Sequence, residues 1–355
     1  TAAMTRPGSL PPATDTGAGA AARVAWLFRH VLRDGGVHPL LPVVMQHHGV
    51  QGALPAPPPA PAVAGPWDVA DVRWRLDEAQ LAQRVAGLPP LPQALTEALA
   101  LLRDDDSSSA ALAACIARDQ ALTARALRVA NSAFYGVSGR VGTVHHAIDL
   151  LGRRTLQSLL TGSALAAQFT LPHGASFDVR RFWMHTLATA IVSRELAGRT
   201  GLDGEAAFTA GLLHDIGRLV LATSYTAAAD AVAARVRATD QPELAVEREL
   251  LGTDHARVGA LLAGHWRFPA DVVQAIEHHH APPGAGTAAR ATLTDLVHVA
   301  DAIAHGLDPA GQGPDAVPAL DLRVWARLAL PPAELPAVLQ HAAAQVDGLC
   351  QALTA

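Results

Sequence analysis

Histidine and aspartate residues in the second half of the chain have the types and spacing of metal ligands. The segment Gly211–Leu219 reads GLLHDIGRL and places His214 and Asp215 side by side at the end of an apolar helix. An imidazole and a carboxylate can ligate the same divalent ion. Adjacent side chains can converge on that ion where the helix relaxes. The chain has 17 histidines, so further nitrogen ligands are available on both sides of this pair.

Further candidate ligands follow in a defined order along the chain. His185 lies upstream in FWMHTLATA, and His255 lies downstream in GTDHARVGALL. A run of three histidines at 278–280 ends VVQAIEHHH, and Asp301 lies in LVHVADAIAH on a helix with an apolar face. Imidazole and carboxylate ligands suit Fe, Mn, Zn or Mg, and such an ion activates water and polarises a phosphoryl oxygen. The alternative is that each histidine is a hydrogen-bonded residue of the core or the surface.

Composition excludes several classes of function. The chain has no lysine, so all 27 basic residues are arginine, which excludes Schiff-base chemistry and a P-loop lysine. A net charge of -5 and an aromatic content of 4% argue against nucleic acid as the partner. Cys115 and Cys350 match no CxxC pattern and indicate a reducing compartment. No apolar run is long enough for a membrane span and no signal pattern begins the chain, so we expect a cytoplasmic protein.

Helical periodicity dominates the chain from about Trp67 onward, with apolar residues at three- and four-residue spacing. The breaks fall at glycine and proline clusters, and alternating hairpin patterns are absent. The pattern therefore predicts an all-α fold. Residues 1–66 contain the proline-rich run Leu54–Ala62 and predict a flexible, low-complexity linker region with one short helix over Val24–Arg33.

Several blocks of sequence have the order and spacing of one known family. They read LPPLPQAL at Leu88–Leu95, RDQALTARAL at Arg118–Leu127, VANSAFYG at Val129–Gly136, AIDLLGRRTL at Ala147–Leu156, AAFTAGLLHDIGRL at Ala206–Leu219 and HARVGALLAGHWRFP at His255–Pro269. Over about residues 87–285 the chain resembles the HDOD family, an HD-related output domain of bacterial signalling proteins. This family is part of the superfamily of HD-type metal-dependent phosphohydrolases.

The resemblance implies a domain organisation. It places an HDOD domain at 67–285, in which an N-terminal helical subdomain at 87–178 packs on an HD-like helical bundle at 179–285. Residues 286–355 are then a C-terminal helical extension that carries Asp301 and completes the bundle.

The resemblance also implies roles for the candidate ligands. The HD pattern assigns a first metal to His185, His214, Asp215 and Asp301. The additional histidines of the HD-GYP relatives, which cleave cyclic di-GMP and bind two or more metals, match His255, His279 and His280.

The chain departs from the HD-GYP pattern in three places. Ala281 stands where that family has a glutamate, and no GYP motif follows. Arg218 replaces the lysine after HDIG, although a guanidinium can still bind a phosphate through two hydrogen bonds.

Two functions remain open. HDOD proteins are usually regulatory, which favours a signal-transduction module that binds a signalling protein or a nucleotide without turnover. The alternative is a metal-dependent phosphodiesterase acting on a nucleotide or cyclic dinucleotide, in which Arg218 stabilises charge on the phosphate. Metal content and turnover of a variant at His214 distinguish them.

Overall fold

A computed structural model of the chain describes residues 17–61, 74–88, 108–131, 141–153, 171–283, 290–311 and 315–354, with single positions at 93, 97, 101, 156, 159, 160, 162 and 169. All regular structure in these ranges is helical, which confirms the all-α prediction. None of the described helices is long and apolar enough to cross a bilayer. The family blocks Leu88–Leu95 and Val129–Gly136 lie largely outside the described residues.

The N-terminal region differs from the predicted linker. Residues 17–50 form three helices, α1 (Gly17–Leu27), α2 (Arg29–Arg33) and α3 (Leu41–His47), and the single helix predicted over 24–33 is interrupted at Phe28. The helices pack on the remainder of the protein and bury Val24, Leu27, Phe28, Leu40 and Val44. Apolar side chains at helical spacing therefore outweigh the alanine- and proline-rich composition here. Residues 54–61 of the proline-rich run have no regular structure.

Four short helices lie between residues 78 and 151 in the part of the chain that the structure describes. They are α4 (Glu78–Ala86), α5 (Ser109–Ala117), α6 (Gln120–Ala130) and α7 (Val144–Leu151). The serine run before α5 supplies its N-cap, because the Ser108 hydroxyl accepts a hydrogen bond from the Ala111 amide at 3.1 Å.

A second set of helices forms the bundle that carries the candidate ligands. They are α8 (Val179–Thr200), α9 (Gly204–Leu213), α10 (Ile216–Ser224), α11 (Thr226–Thr239), α12 (Glu243–Leu251), α13 (His255–His265), α14 (Ala270–His278), α15 (Leu293–Leu307), α16 (Leu322–Leu328) and α17 (Leu335–Thr354).

Helix α8 is the centre of this bundle and packs on α9, α15 and α17. Residues 182–193 of this helix are all buried, as expected for a helix surrounded by others. Gly211 allows α9 to approach it closely, because a Cβ atom at that position would lie 2.8 Å from the Cα of Ala190. This approach brings the C-terminal end of α9 towards His185 of α8, whose ring centroid lies 5.3 Å from that of His214.

Candidate metal centre

His214 and Asp215 occupy the turn between α9 and α10. Helix α9 ends at Leu213 and α10 begins at Ile216, so the two side chains lie where the helical backbone is interrupted. Both residues are buried. The sequence prediction of a relaxed helix end at this dipeptide therefore matches the observed backbone.

One group of candidate ligands is formed by His185 of α8, His214, and Asp301 of α15. The Nε2 atom of His185 lies 3.0 Å from Oδ1 of Asp301. The Nε2 atom of His214 lies 3.7 Å from the same oxygen. The potential ligand atoms of the three residues all lie within 4.8 Å of one another, a spacing that a single metal ion can span.

A second group is formed by Asp215, His255 of α13, and His279 and His280 at the end of α14. The Nε2 atom of His255 lies 3.2 Å from Oδ1 of Asp215 and 2.8 Å from Nε2 of His280. The Nε2 atom of His279 lies 3.7 Å from the same Asp215 oxygen. His278, the first residue of the histidine run, belongs to neither group.

Asp215 lies between the two groups. While its Oδ1 atom faces His255 and His279, its Oδ2 atom lies 3.6 Å from Nε2 of His214 and 4.0 Å from Nε2 of His185. One oxygen of the Asp215 carboxylate is therefore available to each ligand group.

Backbone carbonyl groups orient two of the imidazoles. The Nδ1 atom of His214 lies 2.7 Å from the Gly211 oxygen, and Nδ1 of His279 lies 2.8 Å from the Ile276 oxygen. A carbonyl oxygen only accepts, so each Nδ1 atom must carry the proton and donate it. The Nε2 atom of each ring then faces the centre, where it can serve as a metal ligand.

The buried ring nitrogens fit a divalent metal. The Nε2 atoms of His185, His214 and His279 are buried, and none makes a hydrogen bond of acceptable geometry with the described residues. Burying an unsatisfied polar atom costs about 1–3 kcal/mol, and coordination to a cation would remove that cost. A set of imidazoles and carboxylates suits Fe, Mn or Zn better than Mg, which prefers oxygen ligands.

Electrostatics keep several of these groups in the form that ligates metals. Burial lowers the pKa of His279 to about 3 and holds the pKa of His280 well below its usual value, so both rings are neutral. Burial raises the pKa of the Asp215 carboxyl, but His214, Arg218 and His255 outweigh it and hold that pKa well below its usual value. The carboxylate is therefore ionised.

Three residues beside the ligands extend the centre. Arg218 was predicted, and its Nη1 atom donates to Oδ2 of Asp215 at 3.1 Å while its other arm pairs with Glu243. His305 was not predicted from the sequence, although its spacing of four residues from Asp301 on α15 could have indicated it. Its Nε2 atom lies 3.4 Å from Oδ1 of Asp301. Glu247 was also missed because nothing in its helical segment marks it, yet its carboxylate accepts from Nδ1 of His255 at 2.6 Å.

A cavity of about 500 Å³ opens beside the centre. One end is lined by His185, Arg218 and Glu247, and α11 forms a wall further out. A ligand in this cavity therefore has access to His185 of the first ligand group and to the guanidinium group of Arg218.

Comparison with known proteins identifies the family. The HDOD domain profile matches residues 88–282, more than half of the chain and almost the same range as the sequence blocks predicted. The chain belongs to the HDOD domain family.

Solved structures of other bacterial proteins share the fold. A Shewanella amazonensis SB2B protein named "Putative phosphohydrolase" is 31% identical to this chain, with a TM-score of 0.63. The match covers 77% of this chain and 97% of the Shewanella chain. An HDOD domain protein with unknown function from Geobacter sulfurreducens is 23% identical, with a TM-score of 0.60. The match covers 77% of this chain and 99% of the Geobacter chain.

Curated relatives match over shorter parts of their length. An uncharacterized protein of Treponema pallidum is 28% identical over 211 residues, which are 58% of this chain and 40% of that protein. Ribonuclease Y of Deinococcus radiodurans is 31% identical over 119 residues, which are 34% of this chain and 15% of the nuclease. The chain thus spans less than half of either relative.

Proposed function

We propose that this HDOD protein is a metal-dependent phosphohydrolase within a signalling module. The observation that carries the proposal is the position of Asp215, whose two carboxylate oxygens face two separate groups of imidazole and carboxylate ligands. The names of two relatives support phosphoester chemistry: the Shewanella protein, which is 31% identical over almost all of its length, and Ribonuclease Y.

The ligand groups define where the ions would be held. His185, His214 and Asp301 would hold the first, while His255, His279 and His280 would hold the second, with Asp215 shared between them. Bound divalent ions would polarise a phosphoryl oxygen and lower the pKa of a bound water molecule.

Two further side chains prepare the centre for a phosphate. Arg218 lies at the boundary between Asp215 and the cavity, where its planar guanidinium group can donate to two phosphate oxygens. Glu247 accepts hydrogen bonds from both the backbone amide and Nδ1 of His255, and so fixes the direction of that ring.

A regulatory module without turnover is the second candidate. It is favoured by the pairing of Arg218, whose charge is compensated by the carboxylates of Asp215 and Glu243 before any ligand arrives. Ala281 also stands where the HD-GYP relatives have a glutamate. In this case the centre would be structural, and the module would act by binding a signalling protein or a nucleotide.

Metal content and hydrolysis measured on the same variants test both candidates. The wild type should contain about two equivalents of Fe, Mn or Zn by plasma mass spectrometry and hydrolyse p-nitrophenyl phosphate or its diester. The His214→Ala/Asp215→Ala double variant and His279→Ala should lose metal and activity, whereas His278→Ala, the neighbour outside both groups, should retain them.

The outcomes separate the candidates. Metal that is bound by the wild type and lost in His279→Ala, without hydrolysis of either ester, would favour the regulatory module. A folded wild-type protein that binds none of the three metals would contradict the proposed metal centre.

A further inference from the structure

The cavity beside the metal centre has walls of an unusual kind for a phosphate site. Helix α11 contributes Ala229, Val232, Ala233 and Val236 to its lining. These positions have the i, i+3, i+4, i+7 spacing of a helix face that normally packs on a core. Here that face borders open space, and Ala229, Ala233 and Val236 are only half-buried.

Aromatic side chains form further parts of the wall. Phe177 and Phe182 pack with their ring centroids 5.5 Å apart, and both line the cavity. Trp26 of α1 adds a third ring and is backed by the Arg29 guanidinium group, 4.2 Å from the ring centroid. Trp26 lies outside the segment that matches the HDOD profile, so this part of the wall comes from the N-terminal helices.

Several hydrogen-bonding groups on these walls already have partners. The amide and the hydroxyl of Ser176 both donate to Oδ1 of Asp230, at 3.0 and 2.6 Å. At the inner end, Glu247 accepts from His255 and Asp315 accepts from Arg181 at 3.0 Å. Against the α11 face and the aromatic rings, the polar edge of a nucleobase or the hydroxyls of a sugar would be buried without partners, which is costly.

We propose that the cavity binds a phosphate monoester with an apolar aliphatic or aromatic body. In this arrangement the phosphate lies at the metal centre beside Arg218. The apolar body lies against α11, Phe177, Phe182 and Trp26. This inference rests on the proposed phosphohydrolase function and names its substrate class. A cavity of about 500 Å³ has the size of a small-molecule site, and its apolar surface is supplied by the α11 face and the three aromatic rings.

The reaction implied is hydrolysis of the ester. A water oxygen forms a bond to phosphorus, the bond between phosphorus and the ester oxygen breaks, and that oxygen leaves with a proton as an alcohol. The products are inorganic phosphate and an apolar alcohol, and water is the only co-reactant.

Binding of non-hydrolysable analogues tests the inference separately from turnover. Calorimetry on the manganese-loaded full chain would compare butyl-, hexyl- and octylphosphonate with AMP and GMP. Each added methylene should tighten binding roughly three- to fourfold until the cavity is filled, and octylphosphonate should bind at least about tenfold more tightly than either nucleotide. Release of phosphate from the corresponding alkyl phosphates should follow the same order.

A matched pair of variants on α11 locates the body of the ligand. Ala233→Phe places a ring in the cavity and should weaken octylphosphonate binding about tenfold or more while metal content stays at the wild-type level. Ala227→Phe adds the same ring on the exposed side of α11 and should leave the affinity unchanged. Trp26→Ala removes one ring from the wall without filling the cavity. It should weaken binding of octylphosphonate more than binding of butyl- or hexylphosphonate.

The results distinguish failure of this inference from failure of the proposed function. If metal content is normal but affinity does not depend on the length of the alkyl chain, the substrate class alone would be overturned. The same holds if metal content is normal and the nucleotides bind more tightly than the alkylphosphonates. A protein without metal would overturn both. Equal effects of Ala233→Phe and Ala227→Phe would show that the body of the ligand does not lie against α11, and would also overturn the inference.

Discussion

Gly217 lies so close to the backbone of His255 that a Cβ atom at position 217 would be 1.9 Å from the His255 carbonyl oxygen. The same atom would lie 2.6 Å from the amide nitrogen of Gly259. The glycine two residues after Asp215 therefore sets the distance between α10 and α13, and with it the distance between Asp215 and the His255 ring.

Gly217→Ala should separate these helices. We expect a loss of at least about 1–3 kcal/mol in the free energy of unfolding, because the contact is with backbone that cannot rotate away. Metal content should fall with it, since His255 moves relative to Asp215. Urea unfolding and metal analysis check both effects.

Gly264→Ala is the control on α13, where an added Cβ meets nothing within 4 Å. This variant should leave the free energy of unfolding unchanged or raise it by about 0.5–1 kcal/mol. Equal stability of the two variants would contradict the role of Gly217.

Glu247→Gln tests the residue that orients His255. The buried carboxylate accepts from Nδ1 of His255, and glutamine keeps its shape while removing its charge. Loss of such an outer partner usually lowers metal affinity about 10–100-fold, and a decrease in that range is expected in a competition titration with a chelator. Glu249→Gln, on the exposed side of the same helix, should bind metal like the wild type. An unchanged affinity in Glu247→Gln would mean that His255 is oriented by other contacts.

The sequence predicted the helical class, the family and the order of the candidate ligands because each depends on local pattern. Periodicity shows which segments are helical, and the HD dipeptide falls where α9 gives way to α10. The division of the ligands into two groups around Asp215 depends on how α8, α13, α14 and α15 pack, and no local pattern contains that information.

The residues that were missed show the same limit. His305 shares a helix with Asp301, and its spacing could have been used. Glu247 becomes relevant only through its contact with His255, which the packing of α12 and α13 creates. The N-terminal helices were obscured by composition, since alanine and proline content says little about the few apolar residues, such as Phe28, that anchor them.

Asp240→Asn tests how the N-terminal helices are held. Asp240 follows α11 in the left-handed region at φ 55°, and its carboxylate accepts from Nε of Arg29 at 2.8 Å and pairs with Arg33 at 2.5 Å. Asparagine tolerates this backbone conformation, so the variant removes mainly the charge. Because Arg29 is buried, loss of the carboxylate that compensates its charge should cost about 3 kcal/mol in urea unfolding.

The control for Asp240 is an exposed ion pair. Asp347→Asn removes the partner of Arg180, whose side chain is 61% exposed, and should change stability by less than about 1 kcal/mol. If both variants lose less than about 1 kcal/mol of stability, the ion pairs of Asp240 with Arg29 and Arg33 do not hold the N-terminal helices in place.

His38 should make the stability of the N-terminal region depend on pH. Its Nδ1 atom accepts from the Leu40 amide at 3.2 Å, so Nε2 carries the proton and donates to the Pro318 oxygen at 3.1 Å. Burial lowers the pKa of this ring, and His298 lowers it further. The unfolded chain therefore binds a proton more readily than the folded one. The stabilisation is fully present above the unfolded pKa of about 6.5 and is lost as the pH falls towards the lower folded pKa. Urea unfolding of the wild type and His38→Asn between about pH 7.5 and about pH 5.5 should show a stability difference that narrows with acidification; a constant difference would show that His38 does not titrate in this way.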